Sequence, residues 1–94
     1  MKAAWTQLAL KDLDNAYNHV AEENPSAAAR MIARIRQAIK AIGLHPEIGR
    51  SGRVEGTREL IIPGTPFIVP YRIRAKRIEV LAVIHGARRW PDDL

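Results

Sequence analysis

At 94 residues, 47% hydrophobic and 27% charged, the chain has the size and composition of one domain built around a single two-layer core. It has no cysteine, which excludes a disulfide framework and fits a reducing cytosol. No apolar run reaches the roughly 18 residues a membrane span needs, so a cytoplasmic protein with no membrane partner is expected. The opening Met1-Lys2-Ala3-Ala4-Trp5-Thr6 lacks the apolar stretch of a secretory signal, and the net charge of +5 suits an anionic partner as well as it suits an ordinary, mildly basic protein.

Ala3 to Trp5 can form a short first strand, after which Thr6 suits a helix N-cap because its hydroxyl can accept from an orphan N–H. From Gln7 to about Glu22, Leu10, Leu13, Tyr17 and Val20 recur at helical steps and predict the buried stripe of a first helix. Asn24 can cap a second helix, and Pro25 suits its first position, where a missing N–H is harmless. That helix is expected to bury Ala28, Ile32, Ile35, Ile39 and Ile42 and to stop at Gly43. The two helices make an antiparallel hairpin whose apolar side needs a sheet to cover it. Gly43 to Gly56 then shows no period and predicts a long surface loop, with a functional role or one short extra turn as the alternatives.

Three strands follow, over Thr57 to Ile62, Phe67 to Arg74, and Arg77 to His85. The expected architecture is α+β in the order β-α-α-β-β-β, a helical hairpin on a small, largely antiparallel sheet. A two-residue turn at Ala75-Lys76 sets Ile73 opposite Ile78, Tyr71 opposite Val80, Val69 opposite Ala82 and Phe67 opposite Ile84, on the helix-facing side. The other face then collects Glu59, Ile61, Arg72, Glu79, Leu81, Val83 and His85, with Arg88, Arg89 and Trp90 arriving at its end. Ala-Lys is poor chemistry for a primed turn, and a one-residue slip inverts the faces. Pro70 cannot donate to a ladder and marks a bulge or an unpaired spot, while Arg58 has the parity of Leu60 and Ile62 and is expected to snorkel out from the core side. His19, His45 and His85 show no metal-ligand spacing, so neither a metal nor a cofactor is expected.

Together with this order of elements, several segments resemble the ParE/RelE superfamily of bacterial toxins. They are Asn24-Pro25, His45-Pro46-Glu47-Ile48-Gly49-Arg50, Gly56-Thr57-Arg58-Glu59-Leu60, Val69-Pro70-Tyr71-Arg72-Ile73 and Val83-Ile84-His85-Gly86-Ala87-Arg88. The resemblance covers nearly the whole chain and is closer to the ParE-like branch. It implies the toxin half of a type II toxin–antitoxin pair, neutralised by a small antitoxin, of ribbon-helix-helix type with a tail that wraps around the toxin. ParE-like members poison DNA gyrase, whereas RelE-like members cleave mRNA on the ribosome.

The two targets make different chemical demands. Cutting RNA needs a base, a phosphate clamp and an acid, roles open to Glu59, Arg72 and His85 respectively. Binding gyrase needs only a complementary surface, for which Arg58, Arg88, Arg89 and Trp90 are candidates, since arginine and tryptophan are frequent anchors of interfaces. Each residue also has a plain structural reading. Arg72 and Glu79 can be a cross-strand ion pair, His85 can bond a backbone carbonyl, and Trp90 can be a lid over the sheet edge. A basic binding module without toxicity is the third alternative.

Overall fold

The structure, a computed structural model, describes residues 1–86 and Trp90. In chain order the elements are β1 (Lys2–Trp5), α1 (Gln7–Glu23), α2 (Pro25–Leu44), β2 (Arg50–Ser51), β3 (Arg58–Ile61), β4 (Phe67–Arg74), β5 (Arg77–Val80) and β6 (Ile84–His85). This is the expected α+β plan with two additions: β2 inside the long loop, and a break that divides the last strand. Among the described residues no helix is long and apolar enough to cross a membrane.

Thr6 caps α1 as its chemistry suggests, its hydroxyl accepting from Ala9 N at 3.0 Å. Asn24 serves both helices at once. Its backbone N–H donates to Val20 O at 2.9 Å and closes α1, while its side-chain oxygen accepts from Ala27 N at 3.1 Å and opens α2. Gly43 does not stop α2, which continues to Leu44 and is closed by His45 N donating to Ala41 O at 2.8 Å. The reason for a glycine there is a close crossing: a Cβ would stand 2.7 Å from Met1 O, and the Met1 ammonium donates to Gly43 O at 2.6 Å.

The strands form one mixed sheet in the order β1-β5-β4-β3-β2, with β6 also paired to β4. Among the described residues only β1 is parallel to its neighbour, β5; the remaining pairs are antiparallel. Both helices cover one side of it. The core joins Ala9, Ala16, Met31, Ile35, Ala38, Ile39 and Ile42 from the helices to Ile62, Phe67, Val69, Tyr71, Ile78, Val80 and Val83 beneath them. Leu13, Val20 and Ile32 pack at its margin, as their spacing suggests. Leu10 and Tyr17 do not: they are 51% and 40% exposed, and Ala9 and Ala16, one position earlier, face inward instead. Small side chains let α1 settle close to its neighbours, and helical period alone cannot choose between two adjacent stripes.

The two-residue turn at Ala75-Lys76 forms, with Ile73 opposite Ile78 and Tyr71 opposite Val80. Both turn residues take positive φ, 52° and 60°, a region that side chains with a Cβ visit at a cost. Beyond Val80 the expected register fails. Ile68 pairs with Ile84 and Phe67 with His85, so three steps along β4 are matched by four on the returning chain. Leu81 to Val83 therefore form a bulge. Its backbone groups find partners nonetheless: Leu81 N donates to Pro70 O (3.0 Å), Thr6 Oγ1 donates to Leu81 O (2.9 Å), and Val83 N donates to Asp12 Oδ2 (3.0 Å). Pro70, which has no N–H of its own, sits opposite this break.

Candidate functional site

The helix-free face of the sheet carries the polar candidates. Arg72 lies opposite Glu79, and its Nε donates to Glu79 Oε1 at 2.5 Å. Next along β4 comes Pro70, paired with Glu59 of β3, and Glu59 in turn faces Arg50 of β2. Glu59 and Arg72 thus share this face, as their parity predicts. Glu59 is only 3% exposed. Its Oε1 accepts from an Arg50 guanidinium nitrogen at 3.2 Å, its Oε2 accepts from the Arg53 backbone N–H at 2.8 Å, and Arg53 Nε stands 3.8 Å away. On the far side of Arg53 lies Trp90, with 3.8 Å between the guanidinium carbon and the ring centroid. Glu59 is therefore the floor of a small stack whose upper layers are Arg53 and the Trp90 indole. The indole Nε1 is buried and has no hydrogen-bond partner among the described residues.

His85 is placed elsewhere. The bulge carries it to the side of Phe67, whose ring it meets edge-on at 5.7 Å, while Ile84 takes the position on the Arg72 side. The expected grouping of Arg72, Glu79 and His85 on one face is corrected by that single extra residue. Val83 moves inward with it and joins the core.

Arg58 points to the long loop. Its guanidinium donates to Gly49 O at 2.9 Å and to Glu47 O at 3.3 Å. Tyr71, fully buried and opposite Arg58, reinforces the same contact: its hydroxyl donates to Pro46 O at 2.7 Å and accepts from Gly49 N at 2.9 Å. A side chain at Gly49 would sit 2.7 Å from that ring, which accounts for the glycine in His45-Pro46-Glu47-Ile48-Gly49. The loop after β2 is closed by Thr57, whose carbonyl accepts from Gly52 N at 2.8 Å and whose hydroxyl donates to Val54 O at 2.6 Å. The segment expected to form a long surface loop is thus pinned from within. Arg88 and Arg89 lie outside the described residues.

Two contributors were not legible in the sequence. Arg53 sits in an aperiodic loop, where no spacing signals a role. Asp12 looks like an ordinary solvent-side residue of α1, yet it holds the bulge through Val83. Burial raises its pKa above the ordinary 3.8, a rise opposed by the Val83 N–H and by nearby Lys11. Among the described residues no three histidine or carboxylate side chains cluster as metal ligands.

A helical hairpin on one side of a mixed sheet, with a helix-free face and a pinned loop at its edge, defines the α+β class of this fold. The family model for the ParE toxin of the type II toxin–antitoxin system parDE matches residues 3–90. Y4kP of Sinorhizobium fredii, whose name marks it as a toxin candidate, is 42% identical over 90 residues, which span 96% of this chain and 93% of its own length. Toxin RelE2 of Caulobacter vibrioides is 26% identical over 87 residues, 93% of this chain and 97% of the relative. A solved chain of the chromosomal ParDE system from P. aeruginosa superposes with a TM-score of 0.80 at 31% identity, covering 90% of this chain and 95% of that one. The chain belongs to the ParE toxin family of type II toxin–antitoxin systems, and that membership implies an antitoxin partner.

Proposed function

We propose that this toxin acts in the cytoplasm as one domain that binds and poisons DNA gyrase without catalysing a reaction. The observation that carries this reading is the separation of the candidate acid–base set. Glu59 is occupied by Arg50 and Arg53, Arg72 is engaged by Glu79, and His85 lies on the other side of the sheet against Phe67. A nuclease needs its base, clamp and acid within reach of one phosphodiester. A binding surface needs no such convergence. Arg88, Arg89 and Trp90 supply its cationic and aromatic anchors, while Arg58 braces the loop before β2 through Gly49.

Induced expression in bacteria tests the proposal. DNA breaks and an SOS response with intact transcripts are expected, together with loss of supercoiling when purified gyrase is challenged. Rapid transcript cleavage that disappears in folded Arg72→Ala or His85→Ala protein would reverse the assignment. The likeness to toxin RelE2 and the shared face of Glu59 and Arg72 favour that second reading, a ribosome-dependent endonuclease.

The antitoxin is proposed to be a ribbon-helix-helix protein whose acidic, amphipathic tail wraps the toxin. Beside β1, an edge strand among the described residues, runs a groove lined by Met1, Ala3, Ile39 and Leu44, with Arg36 and Lys40 also lining it. Apolar and basic walls suit such a tail, either as a helix in the groove or as a strand added to the edge. Association that slows steeply with added salt is the expected signature, and salt-independent association would remove the electrostatic part.

A further inference from the structure

We propose that Arg53 is a positioning residue for target binding: it holds Trp90 against the loop between β2 and β3, so that the indole meets its target already in place. The inference rests on the reading of Trp90 as part of the target-binding surface. Its physical basis is the stack over Glu59.

Arg53 is tied to Glu59 twice, through its backbone N–H at 2.8 Å and through Nε at 3.8 Å. Glu59 itself is fixed within the sheet by its pairing with Pro70 and Arg50. The guanidinium plane is therefore set before Trp90 arrives, and the indole lies on it at 3.8 Å. A planar, delocalised cation suits that face of an indole better than an ammonium does. The indole Nε1 is buried and makes no hydrogen bond to a described residue, so the stack on Arg53 is the specific contact that orients it among the described residues. A second tie lies just upstream, where Gly86 N donates to Pro66 O at 2.8 Å. In the sequence, Arg88 and Arg89 fall between these two anchored residues.

Fixing an anchor in advance strengthens binding by removing the ordering cost that a loose side chain incurs on association. A cation–π contact of this kind corresponds to roughly a 2- to 30-fold effect on an equilibrium, depending on its desolvation. Arg53 is half-exposed, with its side chain at 53%, so an effect near the lower end is expected, and its removal leaves the core untouched.

The test uses the full-length toxin carrying Trp5→Phe, which makes Trp90 the sole indole emitter. Arg53→Ala should increase iodide quenching of Trp90 and weaken gyrase inhibition about fivefold, with circular dichroism and melting temperature little changed. Arg53→Lys should fall between, because it keeps the charge and loses the plane. Trp90→Phe should retain more inhibition than Trp90→Ala, since a phenyl ring preserves the stack. Unchanged quenching in Arg53→Ala, or a freed Trp90 with undiminished inhibition, would overturn the proposal. If the Trp5→Phe parent inhibits no gyrase, the target assignment fails on its own; quenching and growth arrest then decide the role of Arg53. A parent that arrests nothing overturns both.

Discussion

The two faces of the sheet are built on opposite principles. The helix-covered face is assembled from shape: alanines at the α1 contact, isoleucines along α2, and Tyr71 at the centre. The other sets charge beside a buried apolar strip of Ile68, Pro70 and Ile84, with Glu59 and Glu79 taken up by arginine and the aromatic Trp90 resting on a guanidinium. Apolar packing tolerates no gap, so damage to the first face should appear as lost stability. Exposed ion pairs contribute little to stability, so damage to the second should appear first in what the protein binds.

That contrast can be broken by mutation. The largest stability loss is expected for Tyr71→Ala, about 3–5 kcal/mol for an emptied aromatic site, read from chemical denaturation. Tyr71→Phe should forfeit about 1–3 kcal/mol, because Gly49 N and Pro46 O lose their shared partner. Glu59→Ala tests whether a buried carboxylate on the charged face behaves like core. A loss of about 2 kcal/mol, with faster hydrogen exchange at Arg53, is expected, and no loss would make Glu59 an ordinary surface acid. Replacing Ala75-Lys76 with Asn-Gly should raise stability by about 1 kcal/mol, since those residues accept positive φ readily. The smallest effect should come from Arg72→Ala. Its partly exposed pair with Glu79 is worth roughly 0–1 kcal/mol, and a larger drop in melting temperature would show that the charged face also carries the fold.

Asp12 offers a comparison in pH. Because its folded-state pKa is raised, the protonated form is the one the fold favours. The contribution is fully present below the ordinary 3.8 and is lost as pH rises through the raised value. Asp12→Asn keeps an acceptor for Val83 N without the charge. Its stability relative to the native protein should therefore improve across that interval and then level off. Denaturation midpoints taken from acidic to neutral pH check this, and a gap that stays constant with pH would exclude the linkage.

Much of the scaffold was legible because each element carries its own signal. Thr6 and Asn24 announce caps, Pro25 starts a helix, and Phe67 to Arg74 is apolar and β-branched enough to define β4 to the residue. Three features were not. The choice of Ala9 and Ala16 over Leu10 and Tyr17 depends on how closely helices approach, which one chain segment does not encode. The role of Gly43 depends on Met1, far away in sequence. The bulge depends on Thr6 and Asp12, which supply partners for backbone groups some seventy residues later in the chain. Of the candidate site, Glu59 and Arg72 were grouped correctly because both precede the bulge. His85 follows it and was misplaced, and Arg53 gave no signal at all.

The bulge at Leu81 to Val83 acts on the strand as a frameshift acts on a message. Everything upstream keeps its phase, and everything downstream is read on the opposite face. Substitutions within those three residues change size or polarity but leave the phase alone. Only an insertion or deletion resets it, and losing one residue there would return His85 to the side of Arg72 while turning Ile84 toward the helices. The direction in which the chain leaves the sheet, and so where Trp90 can land, is set by a count of residues more than by their identities.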